Sequence, residues 1–240
     1  MSGPTERTSS GDSAWGDGVR WDREYLELRG IPSSHRLEPS RAFKRLRSFL
    51  PTARNATVLD AGAGTGRHAL FLAERGALVT AVDASGAACD ALRQRLAARS
   101  GLDGSVRVEQ AVVGPGNLPD DSYDVIIDSY VSCHLLTDED RLAYLQKLLT
   151  RLRPGGRLYT ACMGRDDRYY RNHVLVQRPG PVVARDPLNK ISKLLQPRRS
   201  FGSILRGLAP VVATTTESFD DDVAGGQYQR QVLAAVLRSP

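Results

Sequence analysis

Long apolar runs are missing from this 240-residue chain. No stretch approaches the ~18 consecutive apolar residues of a membrane-spanning helix. Residues 1–17 are small and polar, rich in Gly, Ser and Asp, without the apolar segment of a secretory leader. They predict an unstructured tail, and the rest of the chain is expected to be soluble and cytoplasmic. Cysteine is scarce. Cys89, Cys133 and Cys162 are odd in number and too far apart for a C-x-x-C pair, which fits a reducing compartment and not a disulfide framework. The four histidines, at 35, 68, 134 and 173, show no H-x₃-H or acid-rich spacing, so no metal site is read. Lysine is nearly absent too: Lys44, Lys147, Lys190 and Lys193 are four of 33 basic residues. The net charge of +6 is therefore diffuse arginine charge, with no basic block interleaved with aromatics, and this disfavours a nucleic-acid partner. No internal repeat or linker divides the chain, and its length suits one well-buried α/β domain.

What is present centres on Val58-Leu59-Asp60-Ala61-Gly62-Ala63-Gly64-Thr65-Gly66. A β-branched and apolar run meets three alternate glycines. Residues 67–75 then carry Ala69, Leu70, Leu72 and Ala73 at helical spacing and stop at Gly76. A second apolar run, Val79-Thr80-Ala81-Val82, ends on Asp83. The pattern reads as strand, tight turn, helix, and a second strand closing on an acid. Glycines let a ligand approach the main chain, and the helix start offers unpaired N–H groups to an anion. The acid is placed to accept from both hydroxyls of a ribose. A dinucleotide site would want G-x-G-x-x-G, with its third glycine one place after Gly66. That spacing, and the lack of a Tyr-x-x-x-Lys pair, disfavour a nicotinamide oxidoreductase.

With Asp60 before the glycines and Asp83 after them, the stretch resembles motif I and the second-strand acid of the class I S-adenosylmethionine (SAM)-dependent methyltransferases. The resemblance covers about residues 40–160 well and the last 30 in outline. It implies an α/β, Rossmann-like, seven-stranded, mostly parallel sheet with an antiparallel final strand. Along the chain, helices are expected over 21–30 and 39–50, forming a lid within 18–50. Further helices are expected over 86–99 and from Thr137 to about 152, the latter opened by a Thr137-x-x-Asp140 capping box. Strands are expected over 106–108, 124–127, 158–162, 211–219 and 229–238. An Arg-Pro-Gly-Gly-Arg turn at 153–157 precedes the fifth strand, and a loop at 220–227 joins the last two. Residues 165–206 hold ten Arg or Lys against three Asp with poor periodicity. They read as an insertion between strands five and six, with one short helical run at 188–195. Residues 18–240 are thus read as a single domain.

The resemblance also implies ligand roles. Gly62, Ala63 and Gly64 would lie under the methionine part of SAM, with Asp60 holding the turn or the amino group. Asp83 would take the ribose hydroxyls, with Ala84 beside it. Relatives often carry an Asp after the third strand for the adenine amino group; here Gln110 or main-chain groups would substitute. Asp128 would contact the methionine portion, and Arg41 would pair with the SAM carboxylate. His134 is the candidate base, or else it packs at the start of the next helix. Tyr25, His35, Arg36, Tyr130 and Arg168 are the candidate substrate contacts, with core packing or a solvated surface as the alternatives. The segment at 128–136 lacks the Asn/Asp-Pro-Pro-aromatic sequence of nucleobase amino methyltransferases. The expected activity is methyl transfer to an oxygen, nitrogen or carboxylate of a small molecule such as a secondary metabolite, with S-adenosylhomocysteine (SAH) as product. An RNA or protein acceptor, and SAM/SAH binding without turnover, stay open.

Overall fold

The computed structural model describes residues 17–239 apart from 29, 53, 103–104, 115–116, 176 and 178, and apart from the side chains of 32 and 33. The tail expected over 1–17 lies outside the described residues except for Asp17. The apolar run Thr57–Ala61 forms strand β1, buried at every position after the first. A strand covered on both faces needs such a continuous run. β2 (Leu78–Asp83) and β4 (Tyr123–Ser129) pair with β1 in parallel, one on each side. β3 (Val106–Gln110) extends the sheet beyond β2, and β5 (Leu152–Met163) extends it beyond β4. β9 (Gly226–Arg238) lies antiparallel between β5 and β8 (Val211–Val223), so the order is β3-β2-β1-β4-β5-β9-β8. The chain moves outward from β1 to β3, then returns to β4 on the other side. This reversal leaves a crevice at the carboxyl ends of β1 and β4, where open α/β sheets bind ligands.

Alternation along the strands builds two cores. Val58, Val125, Ile127 and Tyr159 pack one face with α3 (Arg41–Leu46), α4 (Arg67–Ala73) and Leu92 of α5 (Gly86–Ala97). Leu59, Ile126 and Leu158 pack the other with α6 (Asp138–Leu149) and α8 (Arg198–Arg206). The capping box holds: Asp140 N–H donates to Thr137 Oγ1 at 3.1 Å, and three acids sit in the first turn of α6, where the helix dipole favours them.

Several expectations need correction. The helix over 21–30 is α1 (Gly18–Arg23) followed by a π-helical turn, Glu24–Leu28. A one-turn helix, α2 (Pro32–His35), replaces the loop after it. Ser40, not Pro39, opens α3, its hydroxyl accepting from Phe43 N–H at 3.2 Å. The residues at 153–156 are no separate turn but a bulge in β5. Tyr123 pairs with Leu152 and Val125 with Arg157, so five β5 residues span two of β4. The last two strands run on to a two-residue turn, Ala224-Gly225, with φ of 54° and 77°, the left-handed pair that tight hairpins favour.

The insertion is ordered. It holds α7 (Arg168–Arg171), an antiparallel pair β6 (Val182–Arg185) and β7 (Ser192–Leu195), and α8. The expected helical run at 188–195 ends in a strand because all four β7 residues are buried, and so short an apolar run does not carry a period of its own.

Gly66 closes the glycine turn at φ 83° as the N-cap of α4, and a Cβ there would stand 2.2 Å from Leu92 Cδ1. Gly66→Ala therefore combines backbone strain with overpacking against α5. It should cost roughly 2–5 kcal/mol in chemical denaturation, with the same fold by circular dichroism.

Candidate active site

The carboxyl ends of β1 and β2 deliver one acid each to the same turn. Asp60 is 1 % exposed, and its Oδ2 accepts from Ala69 N–H of α4 at 3.0 Å. Its Oδ1 is buried without a partner. Burial pushes the Asp60 carboxyl up to about 7, with a smaller push from Asp83, against the pull of Arg67 and the Ala69 N–H. Asp83 ends β2 and bridges two main-chain donors: Gly64 N–H at 2.7 Å and Ser85 N–H at 2.9 Å. Burial raises its pKa, Asp22 adds to the rise, and the two N–H donors oppose it. An ionised carboxylate has about four acceptor positions, so about two remain. Gly64 has φ 56°, and a Cβ there would lie 2.6 Å from Tyr25 Oη. The turn is thus bare main chain under an aromatic cover.

The lid and the insertion roof this turn together. Asp22 Oδ1 accepts from Ser85 Oγ at 2.6 Å and Ala87 N–H at 3.0 Å, tying the lid to the start of α5. Glu24, fully buried, accepts from Ile31 N–H at 2.6 Å and from Asn189 Nδ2 of the insertion at 3.1 Å. Trp21 stands edge-on to His134 with ring centroids 4.9 Å apart, and it packs with Ile31 and Ile191. Beneath lies a cavity partly open to solvent.

Beyond the turn, Tyr130 takes φ 69°, a strained conformation for a non-glycine residue and one that clusters at functional sites. His134 lines the cavity, and its Nδ1 lies 3.2 Å from Ser192 O. That contact makes Nδ1 the protonated nitrogen and leaves Nε2 as acceptor. Burial, helped by Lys193, pushes the His134 pKa down to about 3 against the pull of the Ser192 carbonyl. Cys133 is also at the wall, but burial lifts its thiol to about 12, so it is no nucleophile.

Of the residues anticipated from sequence, the cavity brings together Gly62, Ala63, Gly64, Asp83, Ala84, Tyr25, Arg36, Tyr130 and His134. Others stand elsewhere. Asp60 lies behind the turn. Asp128 is fully buried, accepting from Thr160 Oγ1 at 2.6 Å and Ser132 N–H at 3.0 Å, which braces the chain leading to His134. Gln110 is exposed and packs on Gly86; Val112 and Val113 line the cavity in its place. Arg41 lies over the Phe219 ring at 5.3 Å, in a smaller adjoining cavity. His35 stands edge-on to Tyr25 outside the lining, and Arg168 is exposed on α7, also away from it. Sequence reasoning missed Trp21's contact with His134, and it missed Lys193 and Arg230 as wall residues. No motif flags them, because strand β7 and the sheet edge bring them in from distant sequence.

The bare turn and the spare acceptor positions on Asp83 fit a ligand that brings paired hydroxyls, which SAM does. Fold and site thus define a Rossmann-like α/β protein with a ligand crevice at the switch point. Residues 58–156 match a family model described as a methyltransferase domain. The cypemycin N-terminal methyltransferase of Streptomyces sp is 37% identical over 109 residues, 44% of this chain and 41% of that protein, so the match spans about two fifths of its length. Among solved structures, Burkholderia thailandensis 1,6-didemethyltoxoflavin-N1-methyltransferase, with bound 1,6-didemethyltoxoflavin and SAH, has 20% identity and a TM-score of 0.65 over 99% of this chain and 93% of that one. A structure described by the conversion of a disulfide bond into a thioacetal group during echinomycin biosynthesis has 20% identity and a TM-score of 0.63 over 92% of each chain. Residues 58–156 are thus similar to the methyltransferase family model, and the likeness to the solved structures is one of fold.

Asp60 generates a pH prediction. Its folded pKa of about 7 stands above the ordinary 3.8, so the folded protein keeps a proton that the unfolded chain has released. This acid's contribution to stability is therefore full below about pH 4 and is lost as pH rises towards 7. Asp60→Asn has no proton to lose. Over that window wild type should lose stability relative to D60N by on the order of 1 kcal/mol per pH unit, levelling off above about pH 7. Denaturant titrations of both proteins across the range test this, and parallel profiles would reject the shift.

Proposed function

We propose that this protein is a SAM-dependent methyltransferase acting on a nitrogen of a small molecule. One observation carries the reading: a single roofed cavity runs from the glycine turn and Asp83, past His134, to Lys193 and Arg230 of the far wall. The nitrogen assignment leans on the N-terminal methyltransferase relative and the N1-methyltransferase neighbour, while the thioacetal neighbour marks sulfur as the competing nucleophile. An RNA or protein acceptor is disfavoured, because the cations at this site face into the cavity rather than across an open surface.

In this reading the main chain of Gly62–Gly64 holds the methionine end of SAM, and Asp60 braces that turn from behind through Ala69 N–H. Asp83 takes the ribose hydroxyls. Val112 and Val113 cover the adenine without the acid that relatives use. SAM supplies a methyl group on a good sulfonium leaving group. The chain's contribution is alignment and exclusion of water, effects that reach ~7–11 kcal/mol in favourable systems. Trp21 and Tyr25 close the cavity over the turn. His134 is neutral at physiological pH, and a pKa of about 3 makes it a weak proton store. We therefore assign it the orientation of an acceptor N–H through Nε2, with proton loss to solvent once the new bond forms.

Two measurements test this. Calorimetry should show SAH binding that falls on the order of 100-fold in Asp83→Ala, with no heat from NAD. Silence towards SAH, or binding of NAD, would remove the reading at its root. With an acceptor in hand, His134→Ala should lower kcat roughly 100-fold while leaving SAH affinity intact. Full turnover in H134A would take His134 out of the reaction.

A further inference from the structure

The far wall of the cavity is unusual in the sign of its charges. Arg36, Lys193 and Arg230 line it, Arg67 stands beside the glycine turn at the start of α4, and Asp83 is the one carboxylate among the described lining residues. Two of these cations already have partners. Arg36 pairs with Asp221 at 2.5 Å, and Arg230 pairs with Asp167 at 2.8 Å and Asp221 at 3.7 Å. Arg67 reaches Ser129 Oγ at 3.4 Å and lies over the Tyr130 ring at 5.6 Å.

Lys193 differs from all of them. It is 4 % exposed on strand β7, and no carboxylate of the described residues lies within ion-pair distance of it. Its ammonium donates to Tyr170 Oη and lies 4.6 Å from the centre of that ring. An ammonium has three donors, so further donors remain for a ligand. Arg230 approaches the same Tyr170 ring at 5.3 Å, so the two cations flank one aromatic. Tyr170 in turn donates to Asp186 Oδ2 at 3.4 Å, and Asp186 is further occupied by Leu188 N–H at 2.9 Å. The acids thus sit behind the tyrosine and hold the cluster in place, while the cations face the cavity. Burial lowers the Lys193 pKa and Arg230 adds to the fall, while Cys133, Asp186 and Asp167 oppose it. A buried ammonium lacking a counter-ion is costly, and an incoming anion relieves that cost.

We propose that Lys193, with Arg230 beside it, is the acceptor's carboxylate-binding subsite, so that the molecule methylated carries a carboxylate as well as its nucleophilic nitrogen. This rests on the methyltransferase reading. It also accounts for the insertion, since β7 contributes the lysine that selects the substrate's charge and α7 contributes the tyrosine that fixes it. The subsite lies past Tyr130 and His134 from the glycine turn, which separates it from the place of the cofactor's own carboxylate.

The scarcity of lysine makes a direct test practical. The protein labelled at lysine Cε shows four resonances, and Lys193→Met identifies the one that matters. SAH-loaded protein is titrated with 4-aminobenzoate and, at equal ionic strength, with 4-aminobenzamide, which has the same shape and nitrogen but no charge. The expected result is a saturable shift of the Lys193 resonance with the benzoate and none with the benzamide. Lys193→Met should weaken 4-aminobenzoate binding by calorimetry roughly tenfold or more, and Lys193→Arg should restore much of it. SAH affinity should stay within about twofold in both variants, which also verifies that they fold. A Lys193 resonance that neither probe moves overturns the proposal. So does an equal response to both probes. A loss of SAH affinity in K193M overturns it as well, by giving the lysine to the cofactor's carboxylate. Failure of wild type to bind SAH would instead strike the methyltransferase reading, and it is seen before any probe is added.

Discussion

The bond from Gly64 N–H to the Asp83 carboxylate joins the two halves of the site. It fixes the glycine turn at the end of β1 to the end of β2, while the second oxygen holds Ser85 N–H at the start of α5. Ser85 then caps α5 through Ala88 N–H at 3.0 Å and donates its own proton to Asp22 of the lid. Four elements meet through one carboxylate. A charge held by main-chain donors is hydrogen-bonded yet keeps acceptor positions for a ligand, so the same group organises the empty site and is expected to read the filled one.

The second dependence is mutual. The lid is short, with no buried side chain in α1, and cannot stabilise itself. The insertion is rich in charge and poor in period. Each supplies what the other lacks: Glu24 offers a buried carboxylate, and Asn189 and Ile31 N–H satisfy it. Ile191 meets Ile31 and Trp21 in a small apolar cluster of its own, apart from the two main cores. Opening the lid would leave Glu24 in contact with water and Asn189 with an unpaired amide, a small exchange compared with disrupting a core. The roof is therefore the part of the molecule best suited to move for ligand entry.

The sheet is legible in the sequence because its information is local. Continuous apolar runs, alternate glycines and a closing acid each occupy a few adjacent residues, and their spacing distinguishes this turn from a dinucleotide turn. Family resemblance adds the antiparallel final strand, which periodicity alone does not give. The insertion is illegible because its order comes from long-range partners. Ser192–Leu195 is a strand only because Val182–Arg185 lies beside it, and Asp167 is fixed by Arg230, far along the chain. The bulge at 153–156 reads as a turn because Pro and Gly carry the same signal inside a strand and outside it. Likewise the sequence places Asp128 and Gln110 at the ligand by position alone. Burial decides otherwise, turning Asp128 inward to Thr160 and leaving Gln110 on the surface.

Roofing the crevice also sets its electrostatics. Taken out of water, Asp60 moves towards its neutral form, and so do His134 and Lys193, although one is an acid and two are bases. Charge is expensive in this space unless a partner of opposite sign arrives. The acceptor carboxylate proposed for Lys193 would remove one such penalty. His134 is kept neutral by burial and by the nearby Lys193, which suits a group that only has to accept a hydrogen bond. A neutral amine is also the form that can attack, and a low-dielectric cavity favours it over the ammonium. The cavity thus sets one carboxylate, Asp83, and the cations Lys193 and Arg230 around a neutral His134.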